Sequence, residues 1–282
     1  MLSYQHEFHA GNKADVFKHS IFSLILENLC KKEKPFTVID THAGSGRYNL
    51  FAEESLKTGE AQQGIKLIFE KGLQTGIKYF EIQKPYLSLD KYAGSPEITR
   101  HFMREKDIMF AIDKHPKAFE NLQKNMSQTL ITAHGELKHL GTVKVLQKDS
   151  YEALKALVPP LVKRGVILMD PSFEDESDYR QVTESLKLAH KKWNTAIIAL
   201  WYPLLTKKQN LLSQMLNSLE DYAKTGINPS TVLRSEVKFI SDQEIFELSK
   251  SDSKAHLYGT GMLIINVPFG LEEKINIIKQ LF

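Results

Sequence analysis

The chain has 282 residues, 42% hydrophobic and 25% charged, which is ordinary globular usage and excludes collagen-like, low-complexity and wholly disordered readings. Its single cysteine, Cys30, excludes an intrachain disulfide and a cysteine-built zinc site. The net charge of +3 and pI near 8.6 permit a nucleic-acid partner met through a local basic face but do not demand one.

The longest apolar stretch, Ala196–Leu205, falls short of the about 20 residues of a membrane span, and no apolar signal core opens the chain. A soluble, cytoplasmic protein with no membrane partner is expected. In chain order, short β-branched apolar runs end in acidic or polar residues at Phe36–Asp40, Ile108–Asp113, Val143–Asp149, Val166–Asp170 and Thr195–Trp201. Helical patterns separate them, which predicts a parallel α/β sheet with ligands at the carboxyl ends of its strands. Glu236–Ile240 and Gly261–Val267 follow without a convincing crossover helix and are expected to close the sheet as an antiparallel pair. The interval from Asp40 to Asp113 far exceeds the roughly 30 residues of a βαβ unit. Residues 53–92 are therefore read as a helical subdomain inserted after the first strand and its helix. The core is then 1–52 and 93–282.

Four strand ends carry the chemistry. Asp40-Thr-His-Ala-Gly-Ser-Gly-Arg47 places a Gly-x-Gly turn after the first strand, where bare backbone admits a ligand. A following helix N-terminus would present free N–H groups to an anion. Asn49 stands where a dinucleotide fingerprint needs its third glycine, which disfavours a nicotinamide cofactor. Asp113, closing the second strand, is a candidate for a ribose hydroxyl pair; the alternative is a carboxylate capping the next helix. Asp149 and Ser150 close the third strand, where a carboxylate can accept from an adenine amino group. Leu168-Met-Asp-Pro-Ser-Phe173 is the most specific. Asp170 and the Pro171 carbonyl would each accept one N–H of a planar amine while Phe173 stacks on its ring. The contacts draw the nitrogen lone pair toward an electrophile by positioning and electrostatics.

The lead segment Met1–His19 holds three histidines, a Tyr, an Asp and two Lys. His6 and His9 are three apart, yet without cysteine or H-E-x-x-H no metal site is expected. The segment is read as folding over the active face, with Tyr4 and His6 near a base and Lys18 and His19 near a carboxylate. The alternative is a helix cap with solvated histidines.

Taken together, YxHxFHAGNxADxxKH, DTHAGxGRY, GSP, DPSF and WYPL, in order from Met1 to about Phe269, resemble the bacterial 23S ribosomal RNA (adenine-2030-N6)-methyltransferases. The resemblance implies a Rossmann-like class I methyltransferase: a mostly parallel seven-stranded sheet with an inserted helical subdomain, using S-adenosylmethionine. It implies that Lys18 and His19 contact the methionine end of the cofactor, that His42 and Gly44 lie in its binding turn, and that Ser95 touches it. Asp113 would hold the ribose and Asp149 and Ser150 the adenine. Asp170 matches the catalytic acid of a D-P-P-Y motif, and Tyr4 matches a residue at the substrate base. The motif departs at Ser172, which loses the fixed φ of a second proline, and at Phe173, which keeps a stacking face without the hydroxyl.

The expected activity is methyl transfer to the exocyclic N6 of an adenine in 23S ribosomal RNA, protein-free or partly assembled. The expected enzyme is monomeric, with Lys57, Lys66, Lys71, Lys78 and Lys84 as candidate phosphate contacts. The alternatives are a DNA adenine-N6 methyltransferase, a noncatalytic RNA-binding assembly factor and, third, a small-molecule or protein N-methyltransferase.

Overall fold

A computed structural model of the chain describes residues 6–52, 57–138, 140–226, 228–251 and 254–282. Helix α1 (Lys13–Cys30) opens the fold. Asn12 caps it by accepting the Asp15 N–H at 2.8 Å. The helix is buried nearly all round, because it is wedged between the central sheet and other helices rather than lying on the surface.

The remaining elements alternate as the apolar runs predict. They are β1 (Thr37–Asp40), β2 (Arg47–Asn49), α2 (Glu60–Gln63), α3 (Ile65–Leu73), α4 (Lys78–Leu87), β3 (Lys91–Ala93), α5 (Ser95–Phe102), β4 (Ile108–Asp113) and α6 (Pro116–Met126). A small hairpin, β5 (Leu130–Thr132) and β6 (Gly135–Leu137), leads to β7 (Thr142–Gln147) and α7 (Ser150–Leu157). Then come β8 (Gly165–Met169), α8 (Glu176–Lys192), β9 (Ile197–Leu205), α9 (Gln209–Thr225), β10 (Val232–Lys238), α10 (Asp242–Ser251), β11 (Leu257–Ile265) and α11 (Leu271–Lys279).

Seven strands form the central sheet in the order β10-β11-β9-β8-β1-β4-β7. Neighbours run parallel from β9 through β7, and β11 is antiparallel to both β9 and β10. Only β11 is therefore reversed. One apolar core joins a face of the sheet to α1, the α2–α4 region, α5 and α11, and a second joins the other face to α7, α8 and α9.

Three details differ from the sequence reading. A crossover helix does precede the last pair: in α9, Leu212, Met215, Leu216, Leu219 and Ala223 recur at helical spacing and are buried, which carries the chain back so that β10 is parallel to β9. The Gly-x-Gly turn runs into a strand instead of a helix. Tyr48 and Leu50 are buried while Asn49 is exposed, the period-two pattern of a strand, and β2 pairs with β3. The crossover helix of β1 is thus α5, and helices α2–α4 lie before it rather than after it. Finally, β9 continues to Leu205, passing the end of β8 at Met169↔Leu200. Pro203 is tolerated there because no neighbouring strand on that side needs its N–H.

Candidate active site

The carboxyl ends of β1, β4, β7, β8 and the overhang of β9 surround a cleft of about 570 Å³, within the usual range for small-ligand sites. Of the residues singled out in the sequence, Lys18, His19, His42, Gly44, Ser95, Asp113, Asp149, Ser150, Asp170 and Pro171 all line it. They come from six separate segments of the chain. Tyr4 lies outside the described residues, as does the side chain of His6. The lead segment beyond them does reach this face. The Glu7 carboxylate accepts from Ser45 Oγ at 3.0 Å and Asn121 Nδ2 at 3.2 Å. Glu60 of α2 ties down both His9 at 2.8 Å and Asn12 Nδ2 at 2.9 Å.

The turn after β1 is built for close approach. Gly44 has φ +58°, and a Cβ there would meet the Tyr48 hydroxyl at 2.0 Å. The Gly44 N–H donates to Asp113 Oδ2 at 2.9 Å, and the His115 N–H donates to Asp113 Oδ1 at 2.8 Å. Asp113 thus fixes the turn, and a carboxylate at this place can accept from hydroxyls. Gly94 precedes α5 without any side-chain cap, and Gly94 and Ser95 bring the start of that helix to the cleft.

Asp149 caps α7, accepting from the Tyr151 N–H at 3.1 Å and the Glu152 N–H at 3.3 Å, and its other oxygen meets Lys114 Nζ at 3.1 Å. Burial works to raise its pKa, but Lys114 and those backbone donors prevail and hold the carboxyl below its ordinary value. The Ser150 hydroxyl donates to the Thr41 carbonyl and pins α7 to the end of β1. Burial lowers His42 to about 4, so its imidazole is neutral at pH 7. His19 shares a hydrogen bond of 2.6 Å with the Tyr92 hydroxyl, which meets Tyr79 at 3.1 Å.

At the centre stands a buried chain of charges. Lys18 Nζ bonds Asp15 Oδ1 at 2.8 Å and also Asp170 Oδ2. Burial opposes its charge, yet the two carboxylates outweigh that and raise its pKa. Behind them Asp40 is fully buried, and neither of its oxygens has a well-formed hydrogen bond among the described residues. Burial pushes it up to about 7, against the opposing influence of Ser95. Asp15 and Asp40 were not singled out from the sequence. The Asp15-x-x-Lys18 spacing on one helix face was the available signal for the first.

Phe173 is the exception. It is 1% exposed and does not line the cleft. Its ring packs on Tyr179 (centroids 4.9 Å apart) and Trp201 (6.3 Å), with backbone φ +54°, so in this conformation it offers no face for a base to stack on. The aromatic ring beside Asp170 that does line the cleft is Trp201.

A cleft so rich in carboxylates suits a ligand with cationic groups. The uncapped start of α5 and Lys18 suit a carboxylate, and Asp113 at the end of β4 suits a ribose. S-adenosylmethionine has that chemistry, and the sheet, with its single reversed strand, is that of the class I methyltransferases that use it. Residues 33–282 match the family model described as RsmJ: Ribosomal RNA large subunit methyltransferase D, RlmJ. Two curated relatives are both called Ribosomal RNA large subunit methyltransferase J. That of Escherichia coli (strain K12) is 36% identical over 98% of this chain and 91% of its own length. That of Haemophilus influenzae is 34% identical over 98% and 90%. The crystal structure of protein LPL1258 from Legionella pneumophila is 27% identical, with a TM-score of 0.76 over 96% of this chain and 92% of that one. The chain belongs to this RlmJ methyltransferase family.

Proposed function

We propose that this protein methylates the exocyclic N6 of an adenine in 23S ribosomal RNA, at a site of the 2030 type. The observation that carries the reading is the Asp170-Pro171-Ser172 turn opening into the same cleft as Gly44, Ser95 and Asp113. S-adenosylmethionine supplies an electrophilic methyl group on a sulfonium. Lys18, His19 and Ser95 hold its methionine end, His42 and Gly44 its middle, Asp113 its ribose, and Asp149 with Ser150 its adenine.

Asp170 and the Pro171 carbonyl each accept one N–H of the target amine. That geometry turns the nitrogen lone pair out of conjugation and fixes it for in-line attack. To do so Asp170 must exchange at least part of its bond to Lys18, and a cofactor carboxylate offers Lys18 a replacement partner. Tyr4 and His6 close over the base. Phe173 serves as a stacking face only if the turn rearranges; otherwise it supports the turn from the core.

The target adenine must be unstacked to enter, which favours protein-free or partly assembled RNA over a finished particle. Residues 53–92, acting as an inserted subdomain, present Lys57, Lys66, Lys71, Lys78 and Lys84 to phosphates. The enzyme works as a cytoplasmic monomer. Labelled S-adenosylmethionine with protein-free 23S transcript and matched DNA tests the reading. N6-methyladenine in RNA alone, lost in Asp170→Ala, is expected. Label in DNA alone, or in neither substrate, overturns it.

A further inference from the structure

The WYPL segment is the one sequence motif to which neither the family resemblance nor the proposed mechanism assigns a task. Its first residue, Trp201, is the first position of β9 beyond the end of β8, where the sheet opens into the cleft. The side chain is partly exposed and lines that cleft beside Pro203 and Leu205. Lys18 links it to the reacting centre: the ammonium is bonded to Asp170 and lies 5.7 Å from the centre of the Trp201 ring. A purine whose amine rests on Asp170 therefore has its ring system beside the indole.

A further observation points the same way. The ring expected to receive the base from sequence, Phe173, is enclosed behind Trp201 and already packed against it. We infer that Trp201 is the aromatic wall of the target-base pocket and a determinant of adenine recognition, held in place by Phe173. The inference rests on the adenine-methylating reading above.

The chain has two tryptophans, and the other is a clean silent partner. Trp193 is 2% exposed, with its N–H donated to the Lys163 carbonyl at 3.0 Å, remote from the cleft lining. In a Trp193→Phe protein, fluorescence reports Trp201 alone. With S-adenosylhomocysteine saturating the cofactor site, adenosine monophosphate is expected to change that fluorescence saturably, and uridine monophosphate to leave it unchanged.

In steady state, Trp201→Leu should raise the KM for RNA roughly 10- to 100-fold, the range of a lost base–aromatic contact. Its dissociation constant for S-adenosylhomocysteine should stay within about twofold of wild type, and Trp201→Phe should restore most of the loss. Were wild type to methylate RNA while Trp201→Leu kept its KM and adenosine monophosphate left the fluorescence untouched, the inference would fall and the proposed activity would stand. Absence of RNA methylation by the wild type would overturn both.

Discussion

Lys18 and Asp170, 152 residues apart in the chain, meet as an ion pair in which the lysine side chain is 4% exposed and the aspartate 15%. Asp15, 3% exposed, holds the same ammonium from the other side. The three-member arrangement is asymmetric: one cation serves two carboxylates. Removing the cation leaves both carboxylates without it, whereas removing Asp170 leaves Lys18 with Asp15.

Lys18→Met is therefore expected to cost about 3–5 kcal/mol of stability, the usual penalty for breaking a buried pair from one side. Asp170→Asn should cost clearly less, yet, on the proposed role of Asp170 as the amine's acceptor, reduce methyl transfer at least about 100-fold. Urea unfolding of both variants, beside single-turnover assays, checks the pair of outcomes. A larger stability loss for Asp170→Asn than for Lys18→Met would contradict the asymmetry.

The glycine turn makes a second prediction through Tyr48. A methyl group on Gly44 would lie 2.0 Å from the Tyr48 oxygen but 3.4 Å from the ring carbon that bears it, so the clash belongs to the hydroxyl. Gly44→Ala should cost about 1–3 kcal/mol from strain at positive φ together with the clash, and should weaken cofactor binding. Tyr48→Phe removes the obstructing atom and gives up the bond from the Ser45 N–H at 3.0 Å. In a double-mutant cycle the alanine should cost less when Tyr48→Phe is already present. Calorimetric cofactor titrations and thermal unfolding of the four proteins measure the coupling, and additive losses would place the cost in the backbone alone.

The acids at the strand ends were legible in sequence because a parallel strand buried on both faces reads as an apolar run whose first polar residue marks its exit. Asp170 is the clearest case and Asp113 follows the same pattern, whereas Asp149 ends the edge strand β7, whose apolar and polar residues alternate. The turn after β1 misled because a Gly-x-Gly is compatible with a helix or a hairpin, and only the alternation of Tyr48 and Leu50 separates them. Phe173 misled for another reason. Its place two residues after Pro171 suggests a free ring, while its burial against Tyr179 and Trp201 depends on α8 and β9, which the local sequence does not mention. The buried cluster in which Arg47 and Arg100 both bond Glu97 is likewise tertiary: each residue alone reads as surface.

Asp40 should leave a signature in the pH dependence of folding. Its carboxyl titrates near 3.8 when unperturbed and about 7 in the folded protein, raised chiefly by burial. Between those values the folded state binds more proton than the unfolded state, so this group's contribution falls as pH rises from about 4 to 7 and is level above that. The full span is on the order of 4 kcal/mol. His42, lowered to about 4 by burial, acts in the opposite sense between pH 4 and 6.5, which flattens the wild-type profile. The Asp40→Asn variant keeps His42, so the difference between the two proteins isolates the carboxyl. The variant's stability relative to wild type should climb from pH 4 to 7 and then plateau. Chemical denaturation across that range provides the test, and a pH-independent difference would mean that Asp40 is ionised throughout.

RNA affinity supplies the last prediction, because the cleft itself is acidic and phosphates must be met elsewhere. Of the five lysines named in residues 53–92, all but Lys66 are exposed, and Lys66 and Lys78 lie over the rings of Phe51 and Phe102 at 5.0 and 4.7 Å. On the other side of the comparison, Lys238 and Lys274 are already paired with Asp242 at 2.6 Å and Glu27 at 3.1 Å. A phosphate contact on a single strand contributes a slope of about 0.7 in log affinity against log salt. Replacing Lys57, Lys71 and Lys84 by Gln together should reduce that slope by about 2 and weaken binding uniformly across RNA sequences. Lys238→Gln with Lys274→Gln should leave the slope unchanged, since those ammoniums are neutralised within the protein. Binding of a 23S fragment at a series of salt concentrations decides it. Equal slopes for wild type and the triple variant would move the RNA-binding face away from residues 53–92.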